Sequence, residues 1–128
     1  MIVLDASVLI AFLDAADAHH ERAAALLSQE IDDDFAVNIL TLAEILVAPT
    51  RAGRCDQVLR AVGDLEVETL QFPADAAVTL AELGAQTLLK MPDCCVLLSA
   101  LDRRARLASF DDRLIKAARA RDVDAIGG

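Results

Sequence analysis

The first ten residues, Met1-Ile-Val-Leu-Asp-Ala-Ser-Val-Leu-Ile10, constrain the fold more than any other part of the chain. An apolar run starts at the first residue, stops at a single carboxylate, Asp5, and resumes as an apolar helical stretch. Ile2–Leu4 reads as a buried strand and Ser7–Leu13 as a short helix. A strand that is apolar at successive positions must be covered on both faces, as in a parallel sheet between layers of helices. In such sheets ligands sit at the C-terminal ends of the strands, which is where Asp5 falls. Asp5 or Ser7 equally fits the N-cap of the following helix, and the stretch alone leaves both readings open.

The same alternation recurs downstream. Glu21–Gln29 carries Ala and Leu at helical spacing, Phe35–Asn38 reads as a strand, and a helix follows from Thr41 to Val47, ended before Pro49. Asp56–Val62 reads as a short helix and Val67–Phe72 as a strand leading to Pro73, an apt first residue for the helix Ala74–Leu89. Pro92 interrupts. Asp93–Arg103 is again helical, Leu107–Ser109 a short strand, Asp112–Arg121 a helix and Val123–Ile126 a last strand. Strands alternating with helices predict an α/β protein, a three-layer α/β/α sandwich whose mostly parallel central sheet has about five strands joined by right-handed crossovers. Nothing divides the chain, so residues 1–128 form a single domain. With 55% hydrophobic but only 3% aromatic residues and no Trp or Tyr, the core must be filled by Ala, Val, Leu and Ile.

Several function classes are disfavoured. No apolar run reaches the length of a membrane span and the N-terminus lacks the pattern of a signal peptide, so the expected location is cytoplasmic. Cys55, Cys94 and Cys95 have no metal-ligand spacing and read as reduced, structural residues. A net charge of −9 argues against nucleic-acid binding through a general positive field. The charge is uneven, however: residues 1–89 hold 4 Lys+Arg against 15 Asp+Glu, whereas residues 90–128 hold 8 against 6. A basic face near the C-terminus, or simply a solvated helix surface, accounts for that. His19 and His20 lie far in sequence from the candidate acids below and read as residues of a helix start.

Four acids stand at predicted strand ends or helix starts: Asp5, Glu44, Asp93 and Asp111. Each has a structural explanation, since Thr41-Leu-Ala-Glu44 fits a capping box and Asp93 and Asp111 or Asp112 fit N-caps. Together they can converge at one edge of one sheet, where carboxylates repel unless a cation joins them. A donor set of oxygens without His or Cys selects Mg²⁺ or Mn²⁺, ions suited to metal-assisted phosphoryl chemistry.

The segments Ile2-Val-Leu-Asp5-Ala-Ser7, Thr41-Leu-Ala-Glu44, Met91-Pro-Asp93 and Ala108-Ser-Phe-Asp111 resemble the four signature segments of PIN-domain nucleases, and the small size resembles the VapC-type toxins of bacterial toxin–antitoxin pairs. The resemblance runs over essentially the whole chain. It implies that Asp5, Glu44, Asp93 and Asp111 hold one or two Mg²⁺ or Mn²⁺ ions and cut RNA by attack of metal-activated water on a phosphodiester, leaving a 5′-phosphate and a 3′-hydroxyl. It further implies a homodimer, and a cognate antitoxin whose C-terminal segment occupies a groove beside the site. Ser7 and Ser109 match positions where the family carries a hydroxyl that supports the acids, Ser109 standing where Thr is usual. Asp112 departs from the basic residue often found after the last acid and reads as a helix cap. Arg113 and Lys116, on the helix that follows, are the best-placed RNA phosphate contacts in the basic C-terminal third. The residues themselves leave two rivals open: a non-catalytic regulatory or binding module in which the acids are only caps, and a small phosphatase with Asp5 as nucleophile. The latter is weakened by Ser7, where a second Asp is usual.

Overall fold

The computed structural model describes all residues, 1–128. Its elements follow the chain as β1 (Ile2–Leu4), α1 (Ala6–Leu13), α2 (His20–Gln29), β2 (Phe35–Asn38), α3 (Ile39–Arg51), α4 (Cys55–Asp64), β3 (Glu68–Leu70), α5 (Ala76–Thr87), α6 (Met91–Arg103), β4 (Arg106–Ala108), α7 (Asp112–Arg119) and β5 (Ala125–Ile126). The five strands form one sheet in the order β3-β2-β1-β4-β5, and every pairing is parallel. No helix is long and apolar enough to cross a membrane.

The inner strands β1, β2 and β4 are largely apolar because each serves two cores, whereas the edge strand β3 exposes Glu68 and Thr69. Ile2, Leu4, Phe35, Val37 and Ala108 pack with α1–α4 on one face. The residues between them, Val3, Ala36 and Leu107, pack with α5–α7 on the other. This period of two, with helices on both sides, is the three-layer arrangement. Cys94 and Cys95 sit in the second helix layer as small buried residues.

From β1 the chain winds outward through β2 to β3, then crosses back to β4 and winds outward again to β5. The winding therefore reverses between β1 and β4, and the crevice above their C-terminal ends is the natural ligand position of such a sheet. With strands of two to four residues, the two edges of the sheet lie only about 10 Å apart. The N-terminal edge is tied by ion pairs: the Met1 ammonium reaches Asp33 at 2.6 Å, and Arg106 reaches Glu30 at 2.7 Å and Asp33 at 3.0 Å. Arg106, part of the basic C-terminal third, is thus spent on the edge opposite Asp5.

The starts of α3, α5 and α6 each lie two residues from the sequence reading; α5 begins at Ala76 rather than Ala74, which leaves Pro73 outside it. α3 begins at Ile39, and its cap is Asn38, whose Oδ1 accepts from the Thr41 N–H at 2.8 Å, so Thr41 and Glu44 form no capping box. The last strand residue doubles as the cap, which hides the boundary from spacing alone. The helix also continues past Pro49 to Arg51, although Pro49 has no N–H to donate to the Ile45 carbonyl. α6 begins at Met91 with Pro92 in its first turn, where the absent N–H has no partner to lose, so Asp93 is not a cap. At α7 the cap is Asp111, which accepts from the Arg113 N–H at 2.9 Å, and Asp112 is an exposed first-turn residue rather than the cap.

Asn38 and Thr41 make opposite predictions on stability. Asn38→Ala removes the cap of α3 and is expected to cost at least about 1 kcal/mol. Thr41 is buried and its hydroxyl has no partner, so Thr41→Val, which keeps the shape, is expected to be neutral or stabilising. Urea denaturation of both variants checks the order, which a capping role for Thr41 would reverse.

Candidate metal centre

Asp5 follows β1 at the winding reversal and is only 6% exposed. Its Oδ1 accepts from the Ala6 N–H at 2.9 Å, and its Oδ2 accepts from the Ser7 hydroxyl at 2.8 Å and the Ser109 hydroxyl at 2.7 Å. Both serines also accept a backbone N–H, Ser7 from Phe110 at 3.1 Å and Ser109 from Asp111 at 2.9 Å. A hydroxyl that already faces an N–H donor must point its single proton elsewhere, so both protons are committed to Asp5. Of the four lone-pair sites on the carboxylate, three are taken, and the remaining one is on Oδ1. Asp5 is both a cap and a fixed acid: the two readings of the opening stretch are compatible.

Glu44 is an exposed residue a turn and a half into α3, further from the helix start than the sequence suggested. Asp93 lies in the first turn of α6, half-buried, next to the cap position held by Lys90. Neither carboxylate is held by a hydrogen bond that offsets its repulsion from its neighbours. The Asp93 carboxyl is pushed up to about 6, first by burial and then by the charges of Asp5, Asp111 and Glu44, with Lys90 opposing. The Glu44 carboxyl is raised by partial loss of water and by Asp5. At the C-terminal edge of the sheet the charges of the other three acids named from the sequence thus act on Asp93, and that of Asp5 acts on Glu44.

As the side chains stand, no three of them close on a common point to form a ligand set. Bare carboxylates repel, so gathering them calls for a counter-charge. The donor chemistry fits a hard divalent ion: oxygen only, one rigid acid in Asp5, one half committed in Asp111, and two without protein partners in Asp93 and Glu44. Rotation of the exposed Glu44 and of Asp93 is what would gather them.

The sequence model of the PIN domain family matches residues 2–120. The chain belongs to the PIN domain family. Solved structures share its fold over nearly their whole length. A toxin–antitoxin complex from Klebsiella pneumoniae aligns with TM-score 0.79 and 17% identity, covering 99% of this chain and 97% of that one. FitAcB from Neisseria gonorrhoeae gives 0.75 and 18%, covering 99% and 97%. VapC20 from Mycobacterium tuberculosis, described as a sarcin–ricin loop cleaving toxin, gives 0.75 and 16%, covering 91% and 95%. Comparison with curated protein sequences finds no match.

The basic residues of this PIN domain are less concentrated near the acids than the sequence suggested. Arg113 and Lys116 are exposed on α7 and make no ion pair, but Arg103 pairs with Glu68 at 3.6 Å, and Arg119 and Arg121 donate to the carbonyls of Ala125 and Ala117. Lys90, the first residue of the basic C-terminal third, has a charge that reaches Asp93, and one cation was not singled out from the sequence: Arg22, whose guanidinium lies 4.3 Å over the Phe110 ring. His19 also packs on Phe110, with ring centroids 5.6 Å apart, although it is far from the acids in sequence. His20 is structural, its Nδ1 lying 2.9 Å from the Ala11 carbonyl oxygen.

The raised acid fixes the pH dependence of the metal-free protein. Between the ordinary aspartate value of about 4 and the folded value of about 6, the folded state holds a proton on Asp93 that the unfolded state has lost. Stability is therefore greatest at the low end of that window and falls as pH rises through 6. Glu30 and Asp33 are lowered, chiefly by Arg106 and the N-terminal ammonium respectively, and their contribution is lost only below about pH 4. In chelator, thermal melts are expected to show a melting temperature that declines from pH 5 to pH 7, and Asp93→Asn should flatten the decline and melt higher than the wild type at pH 7.5.

Proposed function

We propose that this PIN domain is a cytoplasmic endoribonuclease toxin that depends on Mg²⁺ or Mn²⁺ and is neutralised by a cognate antitoxin. The observation that carries the reading is that the charges of Asp5, Glu44 and Asp111, acids of three other segments, all act on Asp93, and that of Asp5 acts on Glu44. Acids that serve only as caps need not meet, and two of these do not cap at all. A hard divalent ion bound there supplies activation of water and neutralisation of charge on a phosphodiester.

The protein residues divide the remaining work. Asp5, immobilised by Ser7 and Ser109, gives the site its fixed point. Asp93 and Glu44 contribute charge held in a partly dry setting, and Asp111 adds a carboxylate that also fixes the start of α7. Lys90, Arg113 and Lys116 are cations available to RNA phosphates on either side. The likeness to a toxin–antitoxin complex and to a sarcin–ricin loop cleaving toxin supports the toxin assignment.

The partner reading has its own support. A half-open groove of about 530 Å³ is walled by Ile10 and Leu13 of α1, Ile45 of α3, and Val58 and Ala61 of α4, and Glu44 stands in its lining. An amphipathic antitoxin segment laid in that groove would reach the acids directly. On another side, Leu88 and Met91 are exposed apolar residues at the α5–α6 turn, suited to a homodimer contact.

Purified protein incubated with RNA and Mg²⁺ or Mn²⁺ is expected to cleave it, and chelator, Asp5→Asn and Asp93→Asn are each expected to reduce cleavage to background. Undiminished cleavage by both variants would overturn the assignment. Mg²⁺ or Mn²⁺ should also raise the melting temperature, since an ion at a hundred times its Kd stabilises the native state by about 2.7 kcal/mol; a non-catalytic module with capping acids predicts no rise.

A further inference from the structure

We propose that His19, Arg22 and Phe110 form a nucleotide subsite beside the acids, in which one base of an RNA strand stacks on the His19–Phe110 pair and the adjoining phosphate binds the Arg22 guanidinium. The proposal rests on the ribonuclease reading and identifies where the strand is gripped. Phe110 lies between Ser109 and Asp111, and its N–H donates to the Ser7 hydroxyl, which donates to Asp5. The backbone that carries the ring is therefore tied through two hydrogen bonds to the most rigid acid of the centre. Arg22 lies over this ring at 4.3 Å, and the His19 ring meets it at 5.6 Å with a 42° tilt. His19 and Arg22 are exposed and Phe110 is partly so.

Arg22 is the only Lys or Arg among the first fifty residues, in a chain of net charge −9. It pairs with no carboxylate: the ion pairs of the protein use Arg103, Arg106 and the N-terminus. Its partners are the Phe110 ring and the Gly127 carbonyl oxygen, to which it donates. It also lines a groove of about 370 Å³ between α2 and the C-terminal tail. An arginine stacked on an aromatic ring, open to solvent and unneutralised is equipped for phosphate, and a planar fork held in place loses little freedom on binding it. Aromatic rings beside such a cation are the elements from which single-stranded RNA sites are built.

A packing role for Arg22, holding the C-terminal tail to α2, predicts lost stability without any dependence on the base. The test is steady-state cleavage of a single-stranded RNA oligonucleotide with one mapped cut site, alongside copies in which each nucleotide flanking the cut is made abasic in turn. His19→Ala, Arg22→Ala and Phe110→Leu are compared with wild type, each checked by its melting temperature. The expected result is a KM raised about tenfold or more in each variant. One abasic position should raise the wild-type KM similarly while adding little in Phe110→Leu. His19 is a surface residue, so His19→Ala keeps the question answerable if either other variant fails to fold. Wild-type KM in a folded His19→Ala protein, or abasic penalties equal in wild type and Phe110→Leu, would overturn the subsite and leave the ribonuclease reading standing. A wild-type protein that cleaves no RNA with Mg²⁺ or Mn²⁺ would instead overturn that reading and the subsite with it.

Discussion

The hydrogen bond from Ser109 to Asp5 joins residues 104 positions apart, and with the bond from Ser7 it fixes the carboxylate at the point where the sheet changes its winding direction. Everything nearby takes its position from that junction. β1 lies between β2 and β4 with Ile2, Val3 and Leu4 fully buried, so the backbone that presents Asp5 cannot shift without disturbing both helix layers. Ser109 passes its constraint on to Asp111 through a backbone N–H, and Ser7 does the same for Phe110. A replacement of either serine by a residue without a hydroxyl would strand a buried N–H as well as loosen the acid. Gly127 completes the junction. The Ser109 N–H donates to Ile126, and a Cβ on Gly127 would stand 2.3 Å from the Ser109 carbonyl oxygen, so only glycine lets the tail pass this close.

The two edges of the sheet treat carboxylates in opposite ways. At the N-terminal edge Glu30 and Asp33 are satisfied by Arg106 and the Met1 ammonium, and both acids are lowered. At the C-terminal edge Glu44 and Asp93 are raised by burial and by each other's neighbours. The first arrangement is what stabilisation alone produces. The second works against stability in the absence of a cation, and acids raised by burial and then by like charges single out a candidate site for chemistry.

Much of this was readable in the residues. Phe35–Asn38 matches β2, the strands are five and parallel, and the rigid acid is the one that ends the opening apolar run. The hidden parts share one cause, residues that serve two purposes at once. Asn38 is both the last residue of a strand and a helix cap, so it moved the expected start of α3 to Thr41. Pro92 reads as a break but is tolerated in a first turn, which made Asp93 look like a cap. Arg22 and His19 could not be found by spacing, because their proximity to Phe110 arises from the way α2 crosses over the end of β4 rather than from any local pattern. The basic C-terminal third misled for the complementary reason: Arg106 begins a strand, and in a parallel sheet that places it on the edge away from the acids.

An acidic nuclease faces a specific difficulty. With a net charge of −9 it repels RNA at long range, so the field that draws basic proteins to nucleic acid works here in reverse. Binding must then come from short-range contacts. Few phosphates can be neutralised, and the salt dependence of binding follows their number. On the proposed ribonuclease function, affinity for arbitrary RNA would be correspondingly weak, and what remained would come from the acids' bound ion and from stacking or hydrogen bonding to individual bases. In such a protein the sparse cations matter more for where they stand than for how many there are. Lys90 beside Asp93, and Arg22 over the ring that precedes Asp111, flank the acids from two different helices. On that function, selectivity would arise from the same few contacts that permit binding at all.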